Sequence, residues 1–368
     1  MTCFHPITIH LIKEYPIEYP QLCEKEQKQL NKPKFRGNDK TYAIQIPCGH
    51  CIGCRLDKAN DWATRINVES RLWKNNLFLT LTYNEHGKRK ENRDLAGQDN
   101  LPRTITGKMT LRLQDLQNFM KRLRNYAEKT NYENMKSWIN PITLKNEKPI
   151  RYFACGEYGP KGGRPHYHMA LFNWKPNDLK FYKLNKQGQP LFTSQTLQEI
   201  WGHGFVVIGE LTQKSACYIA RYTQKKAGQT KSENFYIYDS KTQTKKLFKS
   251  SIAPKNEFIV MSRGCGIGRK WWDEQKEFVK KWGYISIKID DKVKQKPIPH
   301  YFKKLWEKED WEDYHIHRYE NIKKAIIKMN EMEKLENYEK GDWEYLSRIR
   351  QEQILLQKAQ TLRRNNFI

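Results

Sequence analysis

Two histidines separated by one residue, His166 and His168, stand in an apolar segment near the middle of the chain. In a β-strand, side chains at i and i+2 point to the same face, so both imidazoles could ligate one divalent metal. Glu157 precedes them, and the glycines and prolines in between are typical of a hairpin turn. If that turn is centred at residues 161 and 162, Glu157 lies opposite His166 and completes a ligand set of two imidazoles and one carboxylate.

This ligand set favours Mg²⁺ or Mn²⁺ over a closed structural zinc, because it leaves positions open for water or a phosphate oxygen. Alternate histidines can also simply fill a half-buried face. The same triplet recurs at His315 and His317, where charged neighbours predict a helix. Side chains at i and i+2 of a helix diverge by about 200°, so that second pair cannot share a metal.

Two tyrosines four residues apart, Tyr218 and Tyr222, lie in a segment with helical periodicity from Gln213 to Lys226. This spacing places both phenols on one helix face, where two nucleophiles could serve one active centre. A phenol has an ordinary pKa of about 10, and Lys225 lies within reach to stabilise a phenolate. A tyrosine stripe is also a common packing feature, so the pattern alone leaves both interpretations open.

Three cysteines occur at two-residue gaps in a turn-rich segment: Cys48, Cys51 and Cys54. The spacing is compatible with tetrahedral zinc, and Cys3 is the first choice for a fourth ligand, followed by His50 and Cys23. An iron-sulfur cluster is disfavoured because Lys58 stands where a ferredoxin-type run needs its next cysteine. Unligated reduced thiols are the remaining alternative.

The chain is strongly basic, with 67 Lys and Arg against 41 Asp and Glu and a formal net charge of +26. Such an excess predicts a nucleic-acid partner. The lysine-rich stretch 214–255, with Tyr236, Tyr238 and Phe248, could follow the phosphates of a single strand while its aromatic rings stack on bases, or could be an ordinary solvated loop. No apolar run approaches a membrane span and no secretory leader is evident, which predicts a protein of the reducing cytoplasm.

The elements that must position these residues alternate between strands and helices, which predicts an α+β fold. Helices are expected at 56–73, from 113 onward and at 213–226. Strands are expected at 7–12, 42–46, 77–83, 150–157, 166–172, 204–208 and 258–261, with 77–83 as a central strand and a glycine-rich turn at 263–268. From about Pro299 the composition predicts a charged helical appendage.

Taken in order, three elements between Cys48 and Gly268 resemble a known family. Phe78-Leu-Thr-Leu-Thr82 looks like its first motif strand, His166-Tyr-His168 like its metal motif, and Tyr218 with Tyr222 like its paired tyrosines, with Lys225 matching a lysine that often follows. This combination resembles the His-hydrophobic-His endonucleases, especially the replication initiators of gokushovirus-like microviruses. One departure is Tyr167, which is more polar than the usual aliphatic residue and is expected to suit an outward or half-buried face.

The resemblance implies a central antiparallel sheet flanked by helices. It divides the chain into an N-terminal segment with a zinc-knuckle-like element (1–55), a nicking endonuclease domain (56–298) and a charged helical C-terminal region (299–368). The implied activity is rolling-circle initiation, in which a tyrosine nicks single-stranded DNA at an origin, forms a 5′-phosphotyrosine and later rejoins the strand. The implied partners are the origin, a host polymerase and a helicase, in the cytoplasm of a bacterial host.

Two alternatives remain open at this point. A relaxase or transposase would use the same catalytic parts on a different DNA substrate. A non-enzymatic, zinc-containing nucleic-acid-binding protein would bind DNA in a salt-sensitive manner without cleaving it.

Overall fold

A computed structural model divides the chain into two units. The first comprises Met1–Asp57 with Asn337–Arg364, and the second comprises Lys58–Glu336 with Asn365–Ile368. The structure describes residues 3–12, 41–84, 100–104, 107–130, 135–140, 143–159, 162–225, 236–239, 244–247, 254–289, 292–336 and 348–356.

Seven helices are named in chain order. They are α1 (Ile52–Ser70), α2 (Leu113–Lys129), α3 (Gln195–Trp201), α4 (Gln213–Lys225), α5 (Arg269–Trp282), α6 (His300–Glu309) and α7 (Trp311–Glu336). Residues 348–356 are also helical. None of the helices in the described ranges has the length and apolar character needed to cross a membrane.

The strands are likewise numbered in chain order. They are β1 (Ile7–Ile12), β2 (Thr41–Ile46), β3 (Asn76–Thr82), β4 (Trp138–Ile139), β5 (Asn146–Glu147), β6 (Arg151–Tyr158), β7 (Pro165–Phe172), β8 (Lys180–Leu184), β9 (Pro190–Thr193), β10 (Val206–Glu210), β11 (Tyr236–Asp239), β12 (Thr244–Leu247), β13 (Phe258–Met261), β14 (Tyr284–Ile289) and β15 (Lys292–Pro297).

A seven-stranded antiparallel sheet forms the centre of the second unit, with the strand order β13-β6-β7-β3-β10-β9-β8. The predicted α+β architecture, with a central antiparallel sheet flanked by helices, is therefore confirmed. Strand β3 occupies the middle position, as its apolar, β-branched sequence predicted. Strands β8 and β9 and helices α3 and α5 were not expected from the sequence.

The two faces of this sheet carry separate apolar clusters, because successive side chains of a strand alternate in direction. On the face we call the α2 face, Leu79 and Met169 pack with Phe119 of helix α2. On the opposite face, Phe153 and Ala170 pack with Ile219 of helix α4. We call this the α4 face. Both histidines of the motif alternate with Met169 and its α2-face neighbours, so they belong to the α4 face.

A buried ion pair anchors the start of strand β6. Arg151 Nε donates to Glu69 Oε1 over 2.6 Å, and both side chains are almost fully buried. The other oxygen, Glu69 Oε2, accepts from the backbone N–H of Gly268, at the end of the glycine-rich turn. Removing one partner of such a pair leaves an uncompensated buried charge and typically destabilises a protein by about 3–5 kcal/mol. The pair therefore joins α1, β6 and the turn at 263–268.

The predicted C-terminal helices are present, and the first of them packs within the second unit. Phe302 and Trp306 of α6 are fully buried, and the Phe302 ring stacks on Trp272 with centroids 5.4 Å apart. The expected boundary at residues 298 and 299 thus falls inside this unit. Helix α7 contains His315 and His317, so the helical prediction for this second histidine pair is confirmed.

In the first unit, β1 and β2 pair as an antiparallel ribbon, which agrees with the strands expected there. Phe4 is buried in a small apolar cluster together with Cys3, Cys51 and Ile52, and Leu355 packs against it. His5 Nε2 lies 2.8 Å from a carboxylate oxygen of Glu352. The amino-terminal residues and helix 348–356 therefore belong to one packed unit although they are far apart in sequence.

Candidate functional site

The β6–β7 hairpin brings Glu157 and both histidines of the motif together. Its register pairs Glu157 with His166, which confirms the predicted centre of the turn. Glu157 Oε1 lies 2.5 Å from His166 Nε2 and 2.9 Å from His168 Nε2. Three potential ligand atoms thus converge on one point of the α4 face. We refer to Glu157, His166 and His168 as the histidine site.

The electrostatics of Glu157 fit a cation at this point. Burial would raise the pKa of this carboxyl group, but hydrogen bonds from His166 and His168 outweigh burial and lower the pKa to about 2. Its second oxygen, Oε2, is buried and accepts no hydrogen bond from any described residue. A buried, unpaired carboxylate oxygen is costly unless a cation or donor meets it. The group is therefore ionised and has a free position for a metal.

The other ring nitrogen of each histidine is held by a neighbour. Thr80 Oγ1 lies 3.0 Å from His168 Nδ1, and the Arg164 carbonyl oxygen lies 3.2 Å from His166 Nδ1. Because a carbonyl only accepts hydrogen bonds, the contact with Arg164 favours the tautomer of His166 that keeps Nε2 available as a ligand. Such contacts behind a metal ligand orient its ring and raise its basicity.

Sequence reasoning assigned no role to Thr80, although it lies in the quoted motif strand. Thr80 pairs directly with His168 across β3 and β7 and is almost fully buried. The signal that could have found it is the two-residue alternation of β3, which places Thr80 on the face opposite to Leu79 and Leu81. Only the strand pairing shows that this face is the one that carries the histidines.

Helix α4 places Tyr218 beside the histidine site. Ile219 and Ala220 are buried, and the helix packs on β6, β7 and β13. The Tyr218 hydroxyl lies 3.4 Å from His168 Nε2, and the two rings meet edge to face with centroids 5.0 Å apart. Tyr222 follows one helical turn later on the same helix. The side chains of Tyr222 and Lys225 lie outside the residues that the structure describes, as does most of the basic stretch 214–255.

The expectation for Tyr167 is wrong, because this residue is fully buried on the α2 face rather than outward or half-buried. Its hydroxyl donates to the Arg112 carbonyl and accepts from the Arg112 N–H, each over 2.9 Å. It also lies 2.9 Å from the Tyr83 hydroxyl, which donates to Asp115. A buried phenol is tolerated here because these partners replace water.

The ring of Tyr167 fits because glycine stands opposite it on β6. Gly156 pairs with Tyr167, and a Cβ at Gly156 would lie 3.2 Å from Tyr167 Cδ1 and 3.0 Å from Leu111 Cδ2. The sequence signal was a single glycine in a strand pattern, which often marks close approach of a neighbouring group.

A second group of potential ligands lies in the first unit, formed by Cys3, Cys48, Cys51 and Cys54, which we call the cysteine site. All four sulfurs lie within 4.8 Å of one another. Cys51 Sγ is 3.9 Å from Cys3 Sγ, and Cys48 Sγ is 4.0 Å from Cys54 Sγ. A Zn–S bond of about 2.3 Å places tetrahedral sulfurs about 3.8 Å apart, so the geometry fits zinc.

Backbone amides surround the sulfurs of the cysteine site. The N–H of Cys48 donates to Cys3 Sγ over 3.2 Å, and the N–H of Cys51 donates to Cys48 Sγ over 3.3 Å. Burial would raise the pKa of Cys48, but the amide contacts outweigh it and lower the pKa to about 7. Burial raises the pKa of Cys54 and Cys3. Four thiolates at this separation need a cation to ionise together.

Of the three candidates for the fourth ligand, Cys3 is the one whose sulfur lies in the cysteine site. His50 is exposed, and its backbone N–H contacts Cys48 Sγ over 3.5 Å. Cys23 lies outside the described residues.

Comparison with known proteins adds a family to this geometry. A family model described as replication-associated protein of the ORF2 type matches residues 76–227, a range that contains strand β3, the histidine site and helix α4. No solved structure matches the chain.

Three phage proteins match over longer or comparable ranges. The chain is 30% identical over 323 residues to the replication-associated protein ORF2 of Spiroplasma virus 4, covering 85% of this chain and 82% of that protein. It is 30% identical over 277 residues to the replication-associated protein VP4 of Bdellovibrio phage phiMH2K, covering 74% and 71%. The replication-associated protein ORF4 of Chlamydia phage 1 is 30% identical over 192 residues, covering 51% and 40%. The resemblance identified from the motifs is thereby confirmed, and this chain belongs to the replication-associated protein family of gokushovirus-type microviruses.

Proposed function

We propose that this protein initiates rolling-circle replication of a phage genome by nicking single-stranded DNA at the origin, with a tyrosine as nucleophile. The observation that carries the proposal is the Tyr218 hydroxyl 3.4 Å from His168 Nε2, beside a converging Glu157, His166 and His168. A nucleophile next to a site for a divalent cation is the arrangement that phosphodiester transfer requires. The relatives' printed names agree with a role in viral replication.

Glu157, His166 and His168 would hold Mg²⁺ or Mn²⁺ through one oxygen and two nitrogens, leaving positions open for DNA. The bound cation supplies Lewis-acid polarisation of the scissile phosphate. Thr80 and Arg164 keep both rings oriented for this task. We assign the His-hydrophobic-His endonuclease fold to the second unit on the same grounds.

Tyr218 is the attacking residue in this proposal. Its phenolate oxygen forms a bond to phosphorus while the bond from phosphorus to the 3′ oxygen breaks in line. The products are a 5′-phosphotyrosine and a 3′-hydroxyl, which takes up one proton. Because the number of phosphoester bonds is unchanged, the covalent intermediate allows later rejoining. Lys225 follows on α4, and its ammonium group is assigned to stabilise the phenolate.

Tyr222, one turn beyond Tyr218, is assigned to the second cleavage. After one round of synthesis it would cut the regenerated origin, and the released 3′-hydroxyl would attack the first phosphotyrosine. Two tyrosines on one helix face allow the roles to alternate. A host polymerase would extend the first 3′-hydroxyl, with a helicase opening the duplex, in the cytoplasm of the bacterial host.

The cysteine site is assigned to a structural Zn²⁺. Four sulfur ligands complete a tetrahedron and leave no open position for a substrate, so zinc bound there would stabilise the first unit rather than take part in chemistry.

The proposal is tested with purified protein, end-labelled single-stranded DNA from its own replicon and Mn²⁺, followed by denaturing electrophoresis. A protein-linked fragment that requires Mn²⁺ is the expected result. Tyr218→Phe and Tyr222→Phe should each lower nicking, and the double variant should form no adduct. Persistent adducts in the double variant would show that the tyrosine assignment is wrong.

Two other outcomes select the alternative functions. Tight, salt-sensitive binding without any adduct would indicate a zinc-containing binding protein. Adducts formed only on a transfer or transposon-end substrate would indicate a relaxase or transposase.

A further inference from the structure

Strand β8 forms one edge of the central sheet, four strand positions away from β7, and its hairpin is basic and aromatic. The strand reads Lys180-Phe-Tyr-Lys-Leu184, and all five side chains are exposed. Residues 175–193 contain four lysines, at 175, 180, 183 and 186, and a single acid, Asp178. Exposed lysines interleaved with aromatic rings are typical of surfaces that bind single-stranded nucleic acid.

The one acid of this segment is already engaged. Asp178 accepts from Ser194 Oγ over 2.5 Å and from the Thr196 N–H over 2.8 Å. Ser194 in turn caps helix α3 through the Leu197 N–H. Asp178 therefore has a structural task at the helix end, and the positive charge of β8 is not neutralised within its own hairpin.

The strand register places the first lysine of β8 on the α4 face. His168 pairs with Thr80, and Thr80 pairs with Val207. Ile208 pairs with Phe192. Val207 and Thr193, their neighbours along β10 and β9, therefore share the opposite face. Since Thr193 pairs with Lys180, one row runs across the sheet from the histidine site to β8.

Lys183 and Tyr182 extend this row at the edge. Lys183 pairs with Leu191. Leu191 alternates with Phe192 and so lies on the α4 face. Tyr182 is the extra residue of a bulge, and the Lys183 ammonium lies 5.2 Å from its ring centroid. Phe181 instead contacts Phe192 with centroids 6.4 Å apart, on the α2 face, so the hairpin presents different aromatic rings to its two sides.

The row is accessible from β10 to the edge of the sheet. Helix α4 packs on β6, β7 and β13, which form the other half of the sheet. Val207 and Thr193 are half-buried, and Lys180 and Lys183 are exposed. Tyr182 is 53% exposed, which is enough to offer one ring face to a base.

We propose that the α4 face of strands β10, β9 and β8 is the track along which single-stranded DNA reaches the histidine site, with Lys180 and Lys183 contacting phosphates and Tyr182 stacking on a base. The inference rests on the proposed nicking function for the identity of the DNA. It adds a binding surface outside the catalytic residues.

The dimensions suit a short stretch of DNA. From β7 to β8 there are four steps between neighbouring strands, each of about 4.8 Å, or about 19 Å in all. At the 3.4 Å per-strand spacing of duplex DNA this corresponds to roughly six nucleotides, and to fewer for an extended strand. The track therefore contacts a few nucleotides on one side of the cleaved phosphate.

The test measures binding of fluorescently labelled single-stranded oligonucleotides without divalent metal, so that no cleavage is needed. Two series start at the nick position and extend stepwise to the 5′ side or to the 3′ side. For the wild-type protein we expect affinity to rise over roughly the first six nucleotides of one series and to level off beyond them.

The double variant Lys180→Glu/Lys183→Glu should lose that rise, with an affinity roughly tenfold or more below the wild type and a salt dependence reduced by about 0.7 for each lost phosphate contact. Its matched control is Lys292→Glu/Lys294→Glu on exposed strand β15, which makes the same change in net charge. Tyr182→Ala should weaken binding several-fold or more, and Phe181→Ala on the opposite face is its control.

Equal losses for the β8 and β15 double variants, or equal effects of Tyr182→Ala and Phe181→Ala, would overturn the proposal. In that case the exposed β8 edge is better assigned to a protein partner. Failure of the nicking proposal is distinguishable, because a protein that shows the β8-dependent binding without forming an adduct keeps the track and loses the enzyme.

Discussion

The histidine site and the cysteine site are both clusters of potential metal ligands, but they differ in donor atoms and in completeness. Glu157, His166 and His168 offer one oxygen and two nitrogens from a single hairpin, whereas the cysteine site offers four sulfurs from two distant chain segments. Three hard or intermediate ligands leave coordination positions open, while four thiolates close a tetrahedron. The comparison indicates that one site suits chemistry and the other suits structural stability.

The surroundings of the two sites agree with this difference. The histidine site has a half-buried phenol, Tyr218, at 3.4 Å and a carboxylate oxygen that meets no donor among the described residues. The sulfurs of the cysteine site are contacted by backbone N–H groups of their own loop. Amides that point at sulfur favour thiolates but offer nothing that could react with a substrate.

The largest effect is expected from Cys51→Ser. Zinc binding to small zinc-dependent folds is worth about 10–16 kcal/mol, so losing one ligand should remove the metal and loosen the first unit. We expect one fewer zinc per chain by elemental analysis and faster amide exchange in β1, β2 and helix 348–356. Cys217→Ser, a cysteine outside the site, should retain its zinc. Unchanged zinc content in Cys51→Ser would contradict the structural assignment.

The next largest effect is expected from His168→Ala, which removes a ligand from the open site. We expect metal-dependent nicking to fall by roughly 10³-fold, because this kind of charge stabilisation is worth several kcal/mol. Zinc content should not change. His315→Ala is the matched control, since it removes a histidine from the same triplet on helix α7. Similar losses for both variants would mean that the triplet has no special role.

An intermediate effect is expected from Thr80→Val, which keeps the side-chain shape but removes the hydroxyl group that contacts His168 Nδ1. Loss of such a supporting contact typically lowers metal affinity by about 10- to 100-fold. Titration with Mn²⁺ measures this directly, and Thr80→Ser should restore most of the affinity. A Thr80→Val protein that binds Mn²⁺ as tightly as the wild type would assign Thr80 to packing alone.

The smallest effect is expected from Tyr167→Phe, on the face of the sheet away from the histidine site. Its hydroxyl contacts both backbone groups of Arg112, and losing it leaves a buried N–H without this partner. The expected loss in the free energy of unfolding is about 1–2 kcal/mol, with Mn²⁺ affinity unchanged. Chemical denaturation measures the first quantity. A large loss of metal affinity would instead link the buried phenol to the histidine site.

Several features of the site could be predicted from local sequence. Alternation placed His166 and His168 on one strand face, and the glycines and prolines after Glu157 indicated the turn that pairs it with His166. These predictions hold because side-chain direction in a strand and the register of a short hairpin depend on neighbouring residues. The middle position of β3 was equally readable from its apolar, β-branched sequence.

Other features depend on contacts between residues far apart in the chain. Thr80 and His168 are 88 positions apart, and Cys3 and Cys51 are 48 positions apart. The burial of Tyr167 depends on Gly156 and on the segment before α2, which local periodicity cannot evaluate. The same holds for the face of β8, whose direction follows from pairing through β9 and β10.

By itself, then, the amino-acid sequence determined which groups can do chemistry: two histidines and a carboxylate on one hairpin, two tyrosines one helical turn apart, and a run of cysteines. The tertiary structure decided which side chains support them and that Tyr218 rather than another exposed phenol meets His168. The physical reason is that local periodicity sets the direction of a side chain, whereas its partners are set by the sheet order and by helix packing, which bring together residues that the chain keeps apart.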